Sequence, residues 1–349
     1  MTVLVVTTVH QSDDPRIRER TIRSLAEDFD VRYAAKLPAP VDGGDHEWLP
    51  LEGGRVLRWF RALAQMMRGE VRLVSVHDHE LIPAALLVRL VRRIPVVVDV
   101  HEDAPALIRQ REWIAAPLRR PLAWVAERLL DAAERFCSIT LAEPGYRRLF
   151  DRDHPVFPNY PALGGLPDPA PSDGSLVYVG DVTEARGALD MVEAAATSSR
   201  PLTVIGRCPG DITERMQALA ADRGVDLTLS GWLPHREAME RVATAAIGLS
   251  LLHDLPNYRH SMPTKLVEYL QLGIPVVASD LPGSRDGTAG LSGIAFVPPR
   301  DPAAAAAAID ATADDDDLRA NLAVAAAGLR KELAWPAAEV RAFYRELLD

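Results

Sequence analysis

Short apolar runs alternate along the chain with longer stretches in which apolar residues recur every three or four positions. The runs are VLVVT (3–7), VRYAA (31–35), LVSVH (73–77), VVVDV (96–100), LVYVG (176–180), LTVIG (202–206), LTLSG (227–231), IGLSLL (247–252) and PVVAS (275–279). They are apolar nearly throughout rather than alternating, the pattern of strands covered on both faces. Stretches such as IRERTIRSLAEDF and AMERVATAAIG carry the helical period between them. This β–α alternation predicts an α/β fold built on parallel, doubly wound sheets. Such sheets bind ligands outside the carboxyl ends of their strands, so the residues just after each run are the informative ones.

The alternation breaks once, over residues 153–175, which are rich in proline and glycine. That composition marks a linker. A chain of 349 residues is also long for one core and comfortable for two. The expected division is residues 1–162 and 163–334. Beyond the last strand lie an Ala-rich helix (302–313), an acidic run (Asp314–Asp317) suited to a solvated turn or helix start, and a final helix (335–348). That helix carries an apolar stripe of Trp335, Val340, Phe343, Tyr344 and Leu347, which must pack on one of the domains.

Charge refines the picture. The net charge is −10, which argues against a nucleic-acid partner. Residues 1–165 hold 23 basic and 23 acidic residues, leaving 16 and 26 for the remainder, so the whole excess lies in the second half. The neutral first half has arginine pairs at Arg92-Arg93 and Arg119-Arg120. Solvated helix faces are their plain reading, and peripheral contact with an anionic membrane is the alternative. Two distant cysteines, Cys137 and Cys208, build neither a disulfide framework nor a thiolate metal site. The N-terminal run has no basic leader, and no apolar run reaches the length of a membrane span. The expected location is the cytoplasm, with any membrane contact at the inner face. Oligomeric state is not legible.

The segment NYRHSMPTKLVEYLQLGIPVVASD (257–280) concentrates the candidate chemistry. A helix starts between Ser261 and Thr264, with Pro263 in its first turn. Its backbone amides and dipole favour an anion, and Lys265 adds a full charge. Glu268, one turn on, is unsuited to phosphate but suited to a sugar's hydroxyl pair, as carboxylates are in dinucleotide folds. Together they match a ribose joined to a diphosphate, with Arg186 as a second cation at another strand–helix junction. A plain Lys265–Glu268 surface pair fits the spacing equally well.

PTKLVEYLQLGIPVVASD resembles the nucleotide-sugar signature of the GT-B retaining glycosyltransferases of family four, the bacterial "group 1" enzymes. VHDHELIPAALLVRL, VVVDVHEDAP, DDPRIRERTIRSLA, VGDVTEARGALDMVEA and GWLPHREAMERVATAAIGLSLL are similar to further segments of that family, in the same order. The resemblance implies two facing Rossmann-like domains with a cleft between them. The first would bind the acceptor and the second the nucleotide-sugar donor, with helix 335–349 packing back on the first. It implies a metal-independent, cofactor-free transfer of a glycosyl group to an acceptor such as a cell-surface glycan, a glycolipid or a small metabolite. Carried onto this sequence, the catalytic residues are His101, Arg186 and Lys265. Donor contacts fall on Gly180, Arg186, Gly206, Trp232, Leu233, Met262, Pro263, Thr264, Lys265 and Glu268. Asp14, Arg16, His79 and His101 fall on the acceptor side. Two positions depart from the family: His260 replaces the first Glu of Glu-x7-Glu, and Asp181 replaces an Arg.

Other chemistries have weaker support. His77 and His79 lie two apart, but no third metal ligand stands at fixed spacing. Asp151-Arg152-Asp153 lies beside the linker rather than after a core strand. No Gly-x-Gly-x-x-Gly follows a strand, and there is no Gly-x-Ser-x-Gly elbow. Glu102 and Asp103 keep a nucleotide-sugar epimerase in view as a rival. His260 and Asp181 do the same for a non-catalytic nucleotide-sugar-binding or partner-binding protein.

Overall fold

A computed structural model describes residues 1–39, 44, 46–111, 114–162 and 164–349. Leu163, the first residue of the expected second domain, lies outside the described residues. The chain divides into two units, Met1–Asn159 with Trp335–Asp349, and Tyr160–Ala334.

The first unit holds β1 (Thr2–Val6), β2 (Asp30–Lys36), β3 (Glu47–Leu51), β4 (Val71–Val76), β5 (Val96–Val100) and β6 (Ser138–Leu141). They form one parallel sheet in the order β3-β2-β1-β4-β5-β6. The second unit holds β7 (Leu176–Val179), β8 (Leu202–Ile205), β9 (Leu227–Gly231), β10 (Ile247–Ser250), β11 (Val276–Ser279) and β12 (Ile294–Val297). Its parallel sheet runs β12-β11-β10-β7-β8-β9. Numbered within each unit, both sheets have the order 3-2-1-4-5-6, so each is Rossmann-like and reverses direction between its first and fourth strands.

Layering explains the unbroken apolar runs. On one face of the first sheet, Leu4 and Val6 pack with residues of the helices Arg55–Met66, Ile82–Arg92 and Ala116–Phe136. On the other, Val3 and Val5 pack with Ile17, Ile22, Val340 and Tyr344. Every position of Val3–Val6 is therefore buried. The terminal helix, Ala337–Glu346, belongs to this second layer. Tyr344 Oη lies 2.7 Å from Ser75 Oγ, and Trp335 Nε1 donates to Ser24 Oγ at 2.8 Å. The acidic run opens a helix: the Asp315 carboxylate caps Asp316–Glu332, accepting from the Leu318 amide.

Three strands lie outside the runs read from the sequence, β3, β6 and β12; all three are edges, although β12 (IAFV) is apolar at all four positions. Edge strands are short and need less apolar sequence, and β3 (EWLPL) contains Pro50, which only an edge tolerates. Among the described residues no helix is long and apolar enough to cross a membrane.

Candidate functional site

In the second unit the switch between β7 and β10 gathers the candidate residues. Gly180 follows β7 with φ 129°, a conformation that side-chain-bearing residues rarely adopt. A Cβ placed there would lie 3.2 Å from Lys265 Nζ, 3.6 Å from Tyr178 Oη and 3.7 Å from Arg186 Nη1. Two cations and a phenol thus converge on a strand end that carries no side chain. Gly206, after β8, supports this closeness: a Cβ there would fall 1.9 Å from the Gly180 carbonyl oxygen. It shapes the cradle through backbone packing.

Lys265 occupies the first turn of the helix Thr264–Gln271. Pro263 precedes that turn and no side chain caps it. The lysine is buried, and its ammonium stands 3.8 Å from the centroid of the Tyr178 ring. This placement excludes the plain surface pair with Glu268. Burial first, and then the Arg186 charge, depress the Lys265 pKa well below the ordinary lysine value. Arg186 ends the turn Glu184–Arg186, its guanidinium over the Tyr258 ring and its Nε 3.5 Å from Tyr258 Oη. The Tyr178 hydroxyl donates to the Asp181 carbonyl at 2.8 Å, and burial raises its pKa, keeping it protonated. Asp181 itself is exposed and pairs with Arg207 at 3.3 Å.

Glu268 is buried on the same helix, one turn beyond Lys265. His235 Nε2 lies 3.0 Å from its Oε1. His235 opens the helix that follows Trp232-Leu233-Pro234, so the segment after β9 does reach Glu268. Trp232 itself is exposed, while Leu233 is partly buried against the core. Met262 is buried and Pro263 and Thr264 form the helix start. His260 is exposed.

In the first unit a polar network collects at the ends of β1, β4 and β5. Its hub is Asp99, buried within β5. Arg16 donates to it twice, Nε to Oδ2 and Nη2 to Oδ1, both at 2.7 Å, and Thr140 Oγ1 donates at 2.8 Å. Burial opposes the charge of Asp99, but the Arg16 guanidinium prevails and holds its pKa well below the carboxylate range. Arg16 also donates to the Phe157 carbonyl and Asn159 Oδ1. Arg16, expected on the acceptor side, has its donors committed inside the first unit. Asp14 likewise serves the fold, accepting from the amides of Arg16 and Ile17.

His101 follows β5 and is partly exposed. Its Nδ1 lies 3.2 Å from the Asp99 carbonyl oxygen, and its Nε2 2.9 Å from His10 Nε2. His10 sits between Asp14 (3.4 Å from Nδ1) and Asp78 (3.4 Å from Nε2). Burial pulls the His10 pKa down, but the hydrogen bond and charge of Asp14, with Asp78 and Glu102, raise it overall. A protonated His10 donates through Nδ1 to Asp14 and through Nε2 to His101, which leaves His101 Nε2 as the acceptor. His77 is fully buried beside Asp99, and burial lowers its pKa toward the neutral form.

His77, Asp99 and His101 offer three ligand atoms within 4.8 Å of one another. Both Asp99 oxygens already face a permanent cation, Arg16, while His77 Nδ1, buried 3.2 Å from Asp99 Oδ2, makes no hydrogen bond. His79 is separate, in the turn after β4, with Nδ1 3.4 Å from Glu102. Burial pushes the Glu102 carboxyl up, but His79 and the charges of His101 and His10 hold it down to about 2. That is a poor proton-abstracting base. Asp103 caps Ala104–Gln110 and pairs with Arg148. The two acids that kept an epimerase in view are therefore occupied.

Sequence reasoning gave no role to Tyr178, His235, His10 or Asp99. Tyr178 and Asp99 sit inside apolar strands and read as core. His10 meets His101 across 91 residues of chain, and His235 meets Glu268 across 33.

Residues 173–315 match the family model described as "Glycosyl transferases group 1". The match lies wholly within the second unit. Over 99% of its length the chain superposes on a sucrose-phosphate synthase from Thermosynechococcus elongatus, covering 98% of that chain, with TM-score 0.79 and 16% identity. It covers 99% of itself and 99% of HepE from Anabaena in complex with UDP, with TM-score 0.72 and 14% identity. A glycosyltransferase from Rickettsia africae is matched over 100% of this chain and 98% of that one, with TM-score 0.72 and 13% identity. The chain has the GT-B fold. No curated protein matches it in sequence.

Proposed function

We propose that the protein is a cytoplasmic bacterial glycosyltransferase of family four, moving a sugar from a nucleoside diphosphate sugar to an acceptor with retention and without a metal. The observation that carries this reading is the convergence of Lys265, Arg186 and Tyr178 on the bare strand end at Gly180, with Glu268 one turn further along the same helix. Negative charge grows on the diphosphate as the glycosidic bond breaks. Cations held in place before the reaction stabilise that charge without reorganising, commonly the largest catalytic contribution. Two such cations supply at Gly180 what a divalent ion supplies elsewhere. The uncapped first turn of Thr264–Gln271 adds its amides. Glu268, oriented by His235, takes the ribose hydroxyls, with Trp232 and Leu233 beside the base. The first unit takes the acceptor, and His101 is its reactive group, oriented by Asp99 and His10.

The HepE structures contain UDP, or UDP-glucose, so these are the first ligands to try. The test is a panel of nucleotide sugars incubated with candidate acceptors, with and without a chelator. Free nucleotide with a glycosylated product, unaffected by chelator, is the expected result. Chelator-sensitive turnover overturns metal independence. Isomerised sugar makes the protein an epimerase, and binding without turnover makes it a carrier.

A further inference from the structure

His253 is not among the groups that meet at Gly180, yet it is bonded to the chain on either side of Arg186. It lies in the loop after β10 and is buried. Its ring Nδ1 accepts from Arg300 Nε at 3.1 Å, so its proton sits on Nε2, which donates to Asp190 Oδ2 at 2.7 Å. Its backbone amide donates to the Ala185 carbonyl at 2.9 Å. The ring therefore joins three segments: the loop after β10, the first turn of the helix Ala188–Thr197 and the loop after β12. Arg300 makes its bond from a left-handed backbone conformation, φ 60°, which an arginine keeps only where its surroundings hold it.

These bonds bracket Arg186. Ala185 precedes it and is held by the His253 amide. Gly187 follows it with φ 81°, and a Cβ there would fall 2.2 Å from the Leu251 carbonyl oxygen, so the turn presses directly on the strand end that leads to His253. Asp190, in the helix that comes next, is held by the His253 ring. The same segment supplies the surface under the Arg186 side chain. The Leu255 amide donates to the His253 carbonyl and the Tyr258 amide to the Leu255 carbonyl, both at 2.8 Å, which ties Tyr258 to His253. The Arg186 guanidinium stands 5.9 Å from the centroid of the Tyr258 ring. Among the described residues no carboxylate pairs with Arg186, and Tyr178 and Tyr258 orient it instead. Its charge is thus free for a ligand. A long side chain with no anionic partner keeps much of its rotamer freedom, so its aim depends on how firmly the turn and the ring are held.

We propose that His253 is a positioning residue for the diphosphate site: through Ala185 and Asp190 it fixes the turn that carries Arg186, and through Leu255 and Tyr258 the ring on which the guanidinium rests. It touches no reacting atom. An apolar side chain could fill the same space, but it would not set the angle between the loop and the helix. A buried polar group with every partner in place does set it. Cations stabilise a leaving group only as far as they are already aimed at it, so this fixed geometry is what lets Arg186 act. The inference rests on reading Gly180 as a diphosphate site, and its test separates the two.

Binding of UDP, with inorganic pyrophosphate as a base-free probe, is measured by calorimetry on the full chain. His253→Asn keeps an acceptor facing Arg300 but cannot reach Asp190, whereas His253→Gln keeps a donor near the Nε2 position. His253→Asn and Asp190→Ala should each weaken UDP at least about fivefold, and His253→Gln less than about twofold. In an Arg186→Met background the His253→Asn loss should vanish, and in a Lys265→Met background it should persist, since His253 acts through Arg186. Unfolding midpoints verify the fold of each variant, and Asp190→Ala serves if His253→Asn does not fold. A loss undiminished in Arg186→Met, or His253→Gln as weak as His253→Asn, makes His253 a packing residue and overturns the proposal. Binding that depends on Arg186 but on neither His253 nor Asp190 overturns it as well and leaves the diphosphate site standing. If neither probe binds, or binding is indifferent to Arg186→Met, the diphosphate site itself falls and this inference with it.

Discussion

Replacing Lys265 by methionine should move ligand binding and stability in opposite directions. The ammonium is buried, lies 3.8 Å above the Tyr178 ring, and shares the Gly180 strand end with Arg186. Burial and Arg186 both disfavour its charge, so its pKa is well below the ordinary 10.5. The unfolded chain therefore binds this proton more tightly than the folded one, and stability rises with pH through the window that closes at 10.5. A diphosphate reverses the balance. Charges about 4 Å apart interact by about 4 kcal/mol at an effective dielectric constant near 20. Binding should accordingly draw a proton onto Lys265. Charge-assisted hydrogen bonds contribute about 1.5–3 kcal/mol, so Lys265→Met should weaken UDP binding about tenfold to about 150-fold. Calorimetry in buffers of differing ionisation enthalpy, from about pH 7 to about pH 10, should show proton uptake on UDP binding in the wild type and none at this site in the variant. The variant should also unfold at a higher temperature, having lost a buried amine whose charge burial and Arg186 oppose. Equal UDP affinity in the two proteins would refute the cradle. Weaker binding with an unchanged unfolding midpoint would refute the electrostatic account of it.

Other perturbations probe the rest of the design. His10→Gln should flatten the pH dependence of stability above 6.5, because a raised histidine pKa contributes stability that is complete below 6.5 and fades as pH climbs through the folded value; urea melts across that range measure it. Arg16→Met leaves Asp99 buried without its cation, and should cost about 3–5 kcal/mol by denaturant unfolding. Glu268→Gln and His235→Ala should each weaken UDP binding, and their double variant should fall short of additivity by about 0.5–3 kcal/mol, since one orients the other. Strict additivity would mean that they act separately.

The sequence was most legible where burial is most complete. The runs that became β1, β4, β5, β7, β8, β10 and β11 are apolar because helices cover both faces of each sheet. β3 and β6 lie at edges, where that requirement relaxes and the pattern fades, whereas β12 (IAFV) is apolar but only four residues long. Lys265, Arg186 and Glu268 were readable because a cation or carboxylate at the end of a strand or the start of a helix stands out against an apolar background. Tyr178 and Asp99 were not, since one polar atom on a buried strand residue changes nothing in the periodicity. Arg16's partner was hidden for a related reason: Asp99 lies 83 residues later in the chain. Spacing along the chain reports which face a residue takes, and long-range pairing decides whether that face is occupied.

The packing of Trp335 and Tyr344 onto the first sheet has a consequence for synthesis. The first unit is not contiguous, and residues 335–349 complete it only after the whole second unit has been made. Emerging from the ribosome, the sheet β1–β6 must wait with the patch around Val3, Val5 and Phe157 lacking its terminal cover. The second unit needs no later segment and can finish first. The order of maturation is then the reverse of the order of translation, and a nascent chain stalled short of Trp335 would hold a folded second half and an unfinished first.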